Sequence, residues 1–81
     1  MDGTKMTFRD RLYAKAVKHV IETQRCSVSD LQRTLLIGYF LADEMVARME
    51  SDGVVAKRTK QTPIPDVLLD DFAVFQNEMG E

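Results

Sequence analysis

The sequence has little of what covalent or metal chemistry needs. Cys26 is the single cysteine, so no internal disulfide can form, and without a hydrophobic leader a reducing cytoplasm is the expected compartment. His19 has no cysteine or carboxylate partner at ligand spacing, which argues against a zinc site. The sequence contains neither a glycine-rich phosphate loop nor a Ser-His-Asp set. We therefore predict a non-enzymatic protein without a metal or cofactor.

Long apolar runs are also absent. No stretch approaches the ~20 apolar residues that a membrane span requires, so no membrane contact is predicted. The chain has 81 residues, of which 44% are hydrophobic and 30% charged, and this fits one small globular domain. A core of this size is marginal, so each large apolar side chain matters to its stability.

The charges are patchy, although their sum is only −2. Residues 1–39 carry seven basic and four acidic side chains, and residues 40–53 carry one basic and four acidic. Residues 54–62 carry three basic side chains and no acid, whereas residues 63–81 carry five acids and no base. Because a duplex-binding domain usually has a clear positive excess on one face, the acidic blocks need an explanation.

Apolar residues at helical spacing predict a first helix over residues 8–23. Residues 26–28 are expected to be extended, as a short first strand. Ser29 is predicted to cap a second helix over residues 30–35, with Leu31 and Leu35 facing inward. These elements fit the first half of a helix-turn-helix.

A third helix is predicted over residues 40–51, after a turn in which Gly38 takes a positive φ. Gly53 is expected to end this helix as its C-cap. Two short strands are predicted at residues 54–56 and 64–67, on either side of the basic turn at residues 57–62. Two prolines limit the backbone hydrogen bonds that these strands can form. The order predicts an α+β, mostly α, winged helix-turn-helix with three helices and a small β-hairpin wing.

The division expected from these patterns is an N-terminal arm at residues 1–7, a winged-helix domain at 8–66 and an extra C-terminal helix at 67–81. This last helix is predicted to be amphipathic, with an acidic side and an apolar stripe. The stripe is formed by Leu68, Phe72, Phe75 and Met79. It either packs on its own domain, where it could cover Phe40, or mediates a homodimer or holds a partner.

Several motifs together resemble the gamma domain at the C-terminus of the bacterial DNA translocase FtsK. They are Leu12-Tyr13-Ala14-Lys15-Ala16-Val17, Val20-Ile21-Glu22-Thr23-Gln24-Arg25, Ser27-Val28-Ser29-Asp30-Leu31-Gln32-Arg33, Ile37-Gly38-Tyr39 and Met49-Glu50-Ser51-Asp52-Gly53-Val54-Val55. The resemblance covers about residues 10–68. It implies a winged helix that recognises short oriented DNA sequences and contacts the XerD recombinase.

The start of the third helix departs from that family. There, Ile-Gly-Tyr is followed by a motif close to Asn-Arg-Ala-Ala-Arg, whose amide and guanidinium groups suit bidentate bonds to base edges. The same positions here are Phe40, Leu41, Ala42, Asp43 and Glu44. The resemblance therefore implies a recognition helix that has lost its DNA-reading side chains and would repel phosphates.

This departure predicts a partner-binding surface on the third helix. Its candidate residues are Phe40, Leu41, Asp43, Glu44 and Arg48. We expect Leu41 to belong to the core and Phe40 to be exposed or covered by a partner, as a hot spot rimmed by acids. Asp43, Glu44 and Glu50 form either a solvated face or a surface for a basic protein.

A second group of side chains is suited to contact the DNA backbone, if it is not ordinary surface charge. It consists of Arg25, Gln32, Arg33, Lys57, Arg58 and Lys60. The favoured hypothesis is a protein-binding adaptor or inhibitor of a recombinase, translocase or defence complex, as a phage or mobile element would encode. The alternatives are a double-stranded-DNA-binding transcriptional or recombination regulator with altered specificity, and a gamma module that engages XerD without DNA.

Overall fold

The computed structural model describes residues 7–73, which contain three helices. Helix α1 spans Phe8–Thr23, α2 spans Val28–Leu35 and α3 spans Tyr39–Asp52. The bounds predicted for α1 are confirmed. No helix within the described part of the chain is long and apolar enough to cross a membrane.

Helix α1 begins with a reciprocal cap. The Thr7 hydroxyl accepts a bond from the Asp10 amide at 3.0 Å, and the Asp10 carboxylate accepts one from the Thr7 amide. Two of the unpaired amides at the helix start are thereby satisfied. At the other end, Gln24 adopts the left-handed conformation with φ 56°, and its amide donates to the Val20 carbonyl.

The start predicted for α2 is wrong by two residues. Ser27, not Ser29, is the N-cap, and its hydroxyl accepts a bond from the Asp30 amide at 3.3 Å. Val28 therefore lies in the first helical turn and not in an extended strand. The earlier start places Val28 on the same helix face as Leu31, three residues on, and both pack in or against the core.

The turn between α2 and α3 also differs from the prediction. Leu36, and not Gly38, takes the left-handed conformation, with φ 57°, because its amide turns back to the Gln32 carbonyl to close α2. Gly38 has φ −77° and serves as the N-cap of α3. Gly53 ends α3 with φ 79°, as expected for a glycine C-cap.

The core lies between the three helices and the chain that follows α3. Its buried residues are Leu12, Tyr13, Ala16, Val17, Val20, Ile21, Cys26, Leu31, Ala42, Met45, Val46, Met49, Val54 and Val55. Leu35 and Leu41 are partly buried against this cluster. The expectation that Leu41 belongs to the core is therefore met only in part.

The chain after α3 leaves the core and returns to it; we call residues 54–67 the return loop. Val55 pairs with Val67 in one isolated antiparallel bridge, flanked by a bond from the Ala56 amide to the Asp66 carbonyl at 2.9 Å. Within residues 7–73 this bridge replaces the predicted β-hairpin. Pro63 and Pro65 have no amide hydrogen to donate, so the ladder cannot extend.

The predicted C-terminal helix does not begin at residue 67. Val67 lies in the bridge, and the Leu68 amide donates to the Val54 carbonyl at 2.8 Å. Because extended backbone alternates its side chains, Val67 and Leu69 face the core while Leu68 is 58% exposed. Phe72 also packs on the core. Phe75 and Met79, with residues 1–6, lie outside the described residues.

Candidate functional site on the third helix

One face of α3 is buried and the opposite face is exposed along its whole length. Four exposed side chains mark the middle of this face: Phe40, Glu44, Ala47 and Ser51. Their spacing of four, three and four residues places them on one line, which we call the outward stripe. The stripe contains no lysine or arginine, and Glu44 is its single charge. Phe40 is 86% exposed, as expected from the sequence.

Two acidic side chains beside the stripe are bonded to the return loop. The Arg58 guanidinium donates to Asp43 at 2.6 Å and to Glu50 at 2.7 Å, and the Arg58 amide donates to Glu50 at 3.0 Å. The hydrogen bond to Asp43, more than that to Glu50, raises the pKa of Arg58, while burial opposes the shift. Arg58 thus fixes the return loop to α3 through its amide, Nε and Nη1 groups.

The other two acids of α3 are bonded to groups from α1 or α3. Glu44 pairs with Arg9 in the first turn of α1. Asp52 accepts a bond from the Tyr13 hydroxyl at 2.7 Å and lies 3.9 Å from the Arg48 guanidinium. All four acids of this helix therefore have partners within the domain, and the helix is less negative than its sequence indicates.

Arg48 lies against α1 and not on the outward stripe, and its assignment to a partner surface stays a prediction. Its guanidinium lies 4.1 Å from the centre of the Tyr13 ring and donates to Asp10 at 3.2 Å. Burial, and then the hydrogen bond to Asp52, raises the pKa of Tyr13. Hydrogen bonds from Thr7, and then that from Arg48, lower the pKa of Asp10.

Several exposed cations lie outside α3, in the return loop and in or just before α2. Lys57, Lys60 and Arg25 are exposed, and the structure shows no ion pair for them within residues 7–73. Arg33 is 73% exposed and lies 3.6 Å from Asp30, a contact that water screens strongly. Gln32 is half-buried. Of the six residues expected to contact a DNA backbone, Arg58 is the one that is engaged internally by two acids.

A groove of about 570 Å³ separates the start of α2 from the return loop. Its lining residues are Ser27, Val28, Ser29, Tyr39, Arg58, Thr59, Pro63 and Ile64. Tyr39 packs edge to face on Phe40, with ring centres 5.7 Å apart. The first turn of α3 is therefore continuous with the return loop across this groove.

The single histidine and the single cysteine of the chain both lie within the described residues. These residues contain no group of three or more histidine, cysteine or acidic side chains that could hold a metal ion. His19 is bonded to Asp30 at 2.5 Å and is close to Thr34. Cys26 is buried, as expected, and burial raises its pKa to about 11.

The sequence model of the Ftsk gamma domain matches residues 7–64, which include all three helices and most of the return loop. This match covers well over half of the chain. The chain belongs to the FtsK gamma domain family. The resemblance expected from its motifs is thereby confirmed.

Similar proteins include three bacterial proteins that carry the name DNA translocase FtsK. That of Pseudomonas syringae pv. syringae is 46% identical over 54 residues, which are 67% of this chain and 7% of the relative. That of Bacillus cereus is 41% identical over 68 residues, 84% of this chain and 8% of the relative. That of Rickettsia typhi is 47% identical over 45 residues, which are 56% of this chain and 6% of the relative. The chain thus spans less than a tenth of these relatives.

Sequence reasoning about this gamma domain missed the ion pairs that surround α3. The reciprocal cap of α1 could have been predicted, because Thr7 and Asp10 have the three-residue spacing of a capping box. No sequence pattern predicts the ion pairs from Arg9 to Glu44 and from Arg58 to Asp43. Their partners are 35 and 15 residues apart, and only the packing of α1 and the return loop against α3 brings them together.

Proposed function

We propose that this gamma domain is a non-enzymatic winged-helix module that binds duplex DNA. Helix α3 would lie in the major groove as the recognition helix, and the return loop would be the wing. The single observation that carries the proposal is the pairing of every acid on α3 with a group inside the domain. Because its acids are neutralised in this way, the helix can approach phosphates. Unpaired acids at the same positions would repel them.

Exposed cations outside α3 would supply the attraction. Lys57 and Lys60 extend from the return loop, while Arg25 and Arg33 lie just before and within α2. Contacts of this kind hold a protein on the duplex without specifying its sequence. Because DNA is a cytoplasmic ligand in bacteria, the proposal also implies a cytoplasmic location.

The outward stripe lacks the side chains that usually read purines. Asparagine, glutamine, arginine and lysine form the common bonds to guanine and adenine in the major groove. The stripe instead presents Phe40, Glu44, Ala47 and Ser51. We therefore propose binding that is dominated by phosphate contacts and has altered or weak sequence preference.

The test is the salt dependence of binding to a labelled, mixed-sequence duplex of about 20 base pairs, measured by fluorescence anisotropy. Four phosphate contacts predict a slope of about −3.6 for log affinity against log salt concentration. The double variant Lys57→Ala, Lys60→Ala should bind more weakly and lose about half of that slope, since each phosphate contact contributes about 0.9. Lack of binding near 50 mM salt would contradict the proposal.

A matched control is provided by the exposed side of α1. Lys15 and Lys18 are exposed and lie on a different helix from the stripe. The double variant Lys15→Ala, Lys18→Ala also removes two positive charges, but from α1 and not from the return loop. An equal loss of slope in this control would show that binding responds to net charge and not to the return loop.

A protein partner is the second candidate, and one observation favours it. Leu36 is 89% exposed and Phe40 is 86% exposed, on either side of the turn that starts α3. Aromatic side chains such as Phe40 are enriched at the centre of protein interfaces, and Leu36 would extend the apolar surface. An adaptor or inhibitor would use this surface. The anisotropy measurement separates the two candidates, because the adaptor role requires no duplex binding and predicts no salt slope.

A further inference from the structure

The outward stripe carries one large group that phosphate contacts leave unexplained. The Phe40 ring is exposed in the first turn of α3 and packs edge to face on Tyr39 at an interplanar angle of 74°. The neighbouring ring supports it from one side, while its other surface faces solvent. An exposed ring held in this way is placed to contact a ligand.

The position of Phe40 relative to the return loop determines which ligand it meets. Tyr39 lines the groove together with Arg58 and Thr59, and the exposed Lys57 and Lys60 lie on either side of those two loop residues. Phosphates bound at these lysines would bring the duplex toward the first turn of α3. Charge complementarity therefore favours DNA as the occupant of this surface.

The rest of the outward stripe limits what the helix can recognise. Ala47 and Ser51 are small, so the helix can approach the groove floor closely, and Glu44 is bonded to Arg9. The base feature in the major groove that an apolar ring complements is the 5-methyl group of thymine. Phe40 has no donor or acceptor with which to recognise another base edge.

We infer that Phe40 is a specificity-determining residue that contacts thymine methyl groups in the major groove. The inference rests on the proposed duplex binding and adds a base preference to it. Each methyl group that the ring covers corresponds to about a fourfold gain in affinity, the value of one buried methylene. The preference is for the methyl group itself and not for A·T pairs as such.

Deoxyuridine tests this directly, because it differs from thymidine by that methyl group alone. Anisotropy is measured near 50 mM salt on an alternating dA-dT duplex and on the matched dA-dU duplex. The chain is expected to bind the uracil duplex about fourfold or more weakly. In Phe40→Ala this difference disappears, while the affinity for the uracil duplex changes by less than about twofold.

Leu68→Ala is the matched control. Leu68 is also apolar and 58% exposed, and its amide is bonded to Val54, just beyond the far end of α3. A helix of 14 residues is about 20 Å long, so this side chain lies well away from Phe40. The control should keep the full difference between the two duplexes.

The outcomes distinguish this inference from the proposed function. Equal affinity of the unaltered chain for both duplexes, or a difference that survives Phe40→Ala, would overturn the methyl contact and leave duplex binding standing. Failure to bind either duplex would overturn both. Phe40 is 86% exposed, so Phe40→Ala is expected to fold, and equal affinity of the unaltered chain for the two duplexes would overturn the methyl contact without any variant.

Discussion

Single residues in this domain have properties set by burial more than by neighbours in the sequence. Cys26 lies between α1 and α2 with 1% of its surface exposed. Burial is the main reason that its pKa rises to about 11, with Glu50 adding to the shift and Arg58 opposing it. The thiol is therefore protonated at neutral pH and acts as a small core residue.

The reactivity of Cys26 follows from these values. At pH 8 its thiolate fraction should be more than about 10²-fold lower in the folded chain than in the unfolded chain, where a cysteine pKa is about 8.5. Alkylation by iodoacetamide, followed by mass spectrometry, should be slower by at least that factor in the absence of denaturant. Because the chain has one cysteine, the mass shift reports this site alone. Rapid labelling of the folded chain would contradict the assignment.

At the scale of elements, Asp43 and Glu50 connect α3 to the return loop through Arg58, and Glu50 accepts two of the three bonds. The Glu50 side chain is 17% exposed and accepts both a backbone and a side-chain hydrogen bond from Arg58. The loop has one isolated bridge to hold it in addition. Glu50 is therefore expected to stabilise the position of the return loop more than an exposed acid on a helix surface would.

We expect Glu50→Ala to lower the free energy of unfolding by about 1–2 kcal/mol. The variant loses the two hydrogen bonds from Arg58 to the half-buried Glu50 carboxylate. Hydrogen exchange at the amides of Ala56 and Arg58 should accelerate more than exchange within α1. Glu44→Ala is the control, since its pair with Arg9 is exposed and worth well under about 1 kcal/mol. Equal destabilisation by both variants would argue against the special role of Glu50.

The elements that could be predicted are those whose signals are local. The bounds of α1 follow from a continuous apolar stripe, and the end of α3 follows from Gly53. The start of α2 was missed because Ser27 and Ser29 both have hydroxyls suited to a cap, and only the packing of Val28 selects the first. The hairpin was overestimated, although Pro63 and Pro65 are the residues that keep it to one bridge.

For the whole molecule, the pattern of charge along the chain was a poor guide to charge on the surface. The acids of α3 suggested a face that repels DNA. In the folded chain, Arg9, Arg48 and Arg58 come from three different segments and pair with those acids. No periodicity in one sequence specifies which distant groups will meet. The exposed position of Phe40 could be predicted, whereas the neutral character of its surroundings could not.

The Asp10 carboxylate, which caps α1 and also contacts α3, makes the stability of the domain depend on pH. Asp10 accepts hydrogen bonds from Thr7 at the start of α1 and from Arg48 of α3, and they lower its pKa below the ordinary value of 3.8. A carboxyl whose pKa is lower in the folded chain stabilises that chain above its unfolded pKa. The contribution is lost as pH falls through the folded pKa.

Asp10→Asn should therefore lower the Tm at pH 7, where the unaltered chain keeps its charged carboxylate. The Tm values of the two proteins should converge as pH falls through the lowered pKa of Asp10 in the folded chain, because the unaltered side chain is then protonated as well. Thermal unfolding followed by circular dichroism from neutral to acidic pH measures both curves.

Asp70→Asn is the control, since Asp70 is exposed and has no ion pair within residues 7–73. A constant Tm difference between Asp10→Asn and the unaltered chain at every pH would mean that Asp10 acts through its shape at the helix cap. Convergence would assign its effect to the carboxylate charge, which accepts bonds from Thr7 and from Arg48.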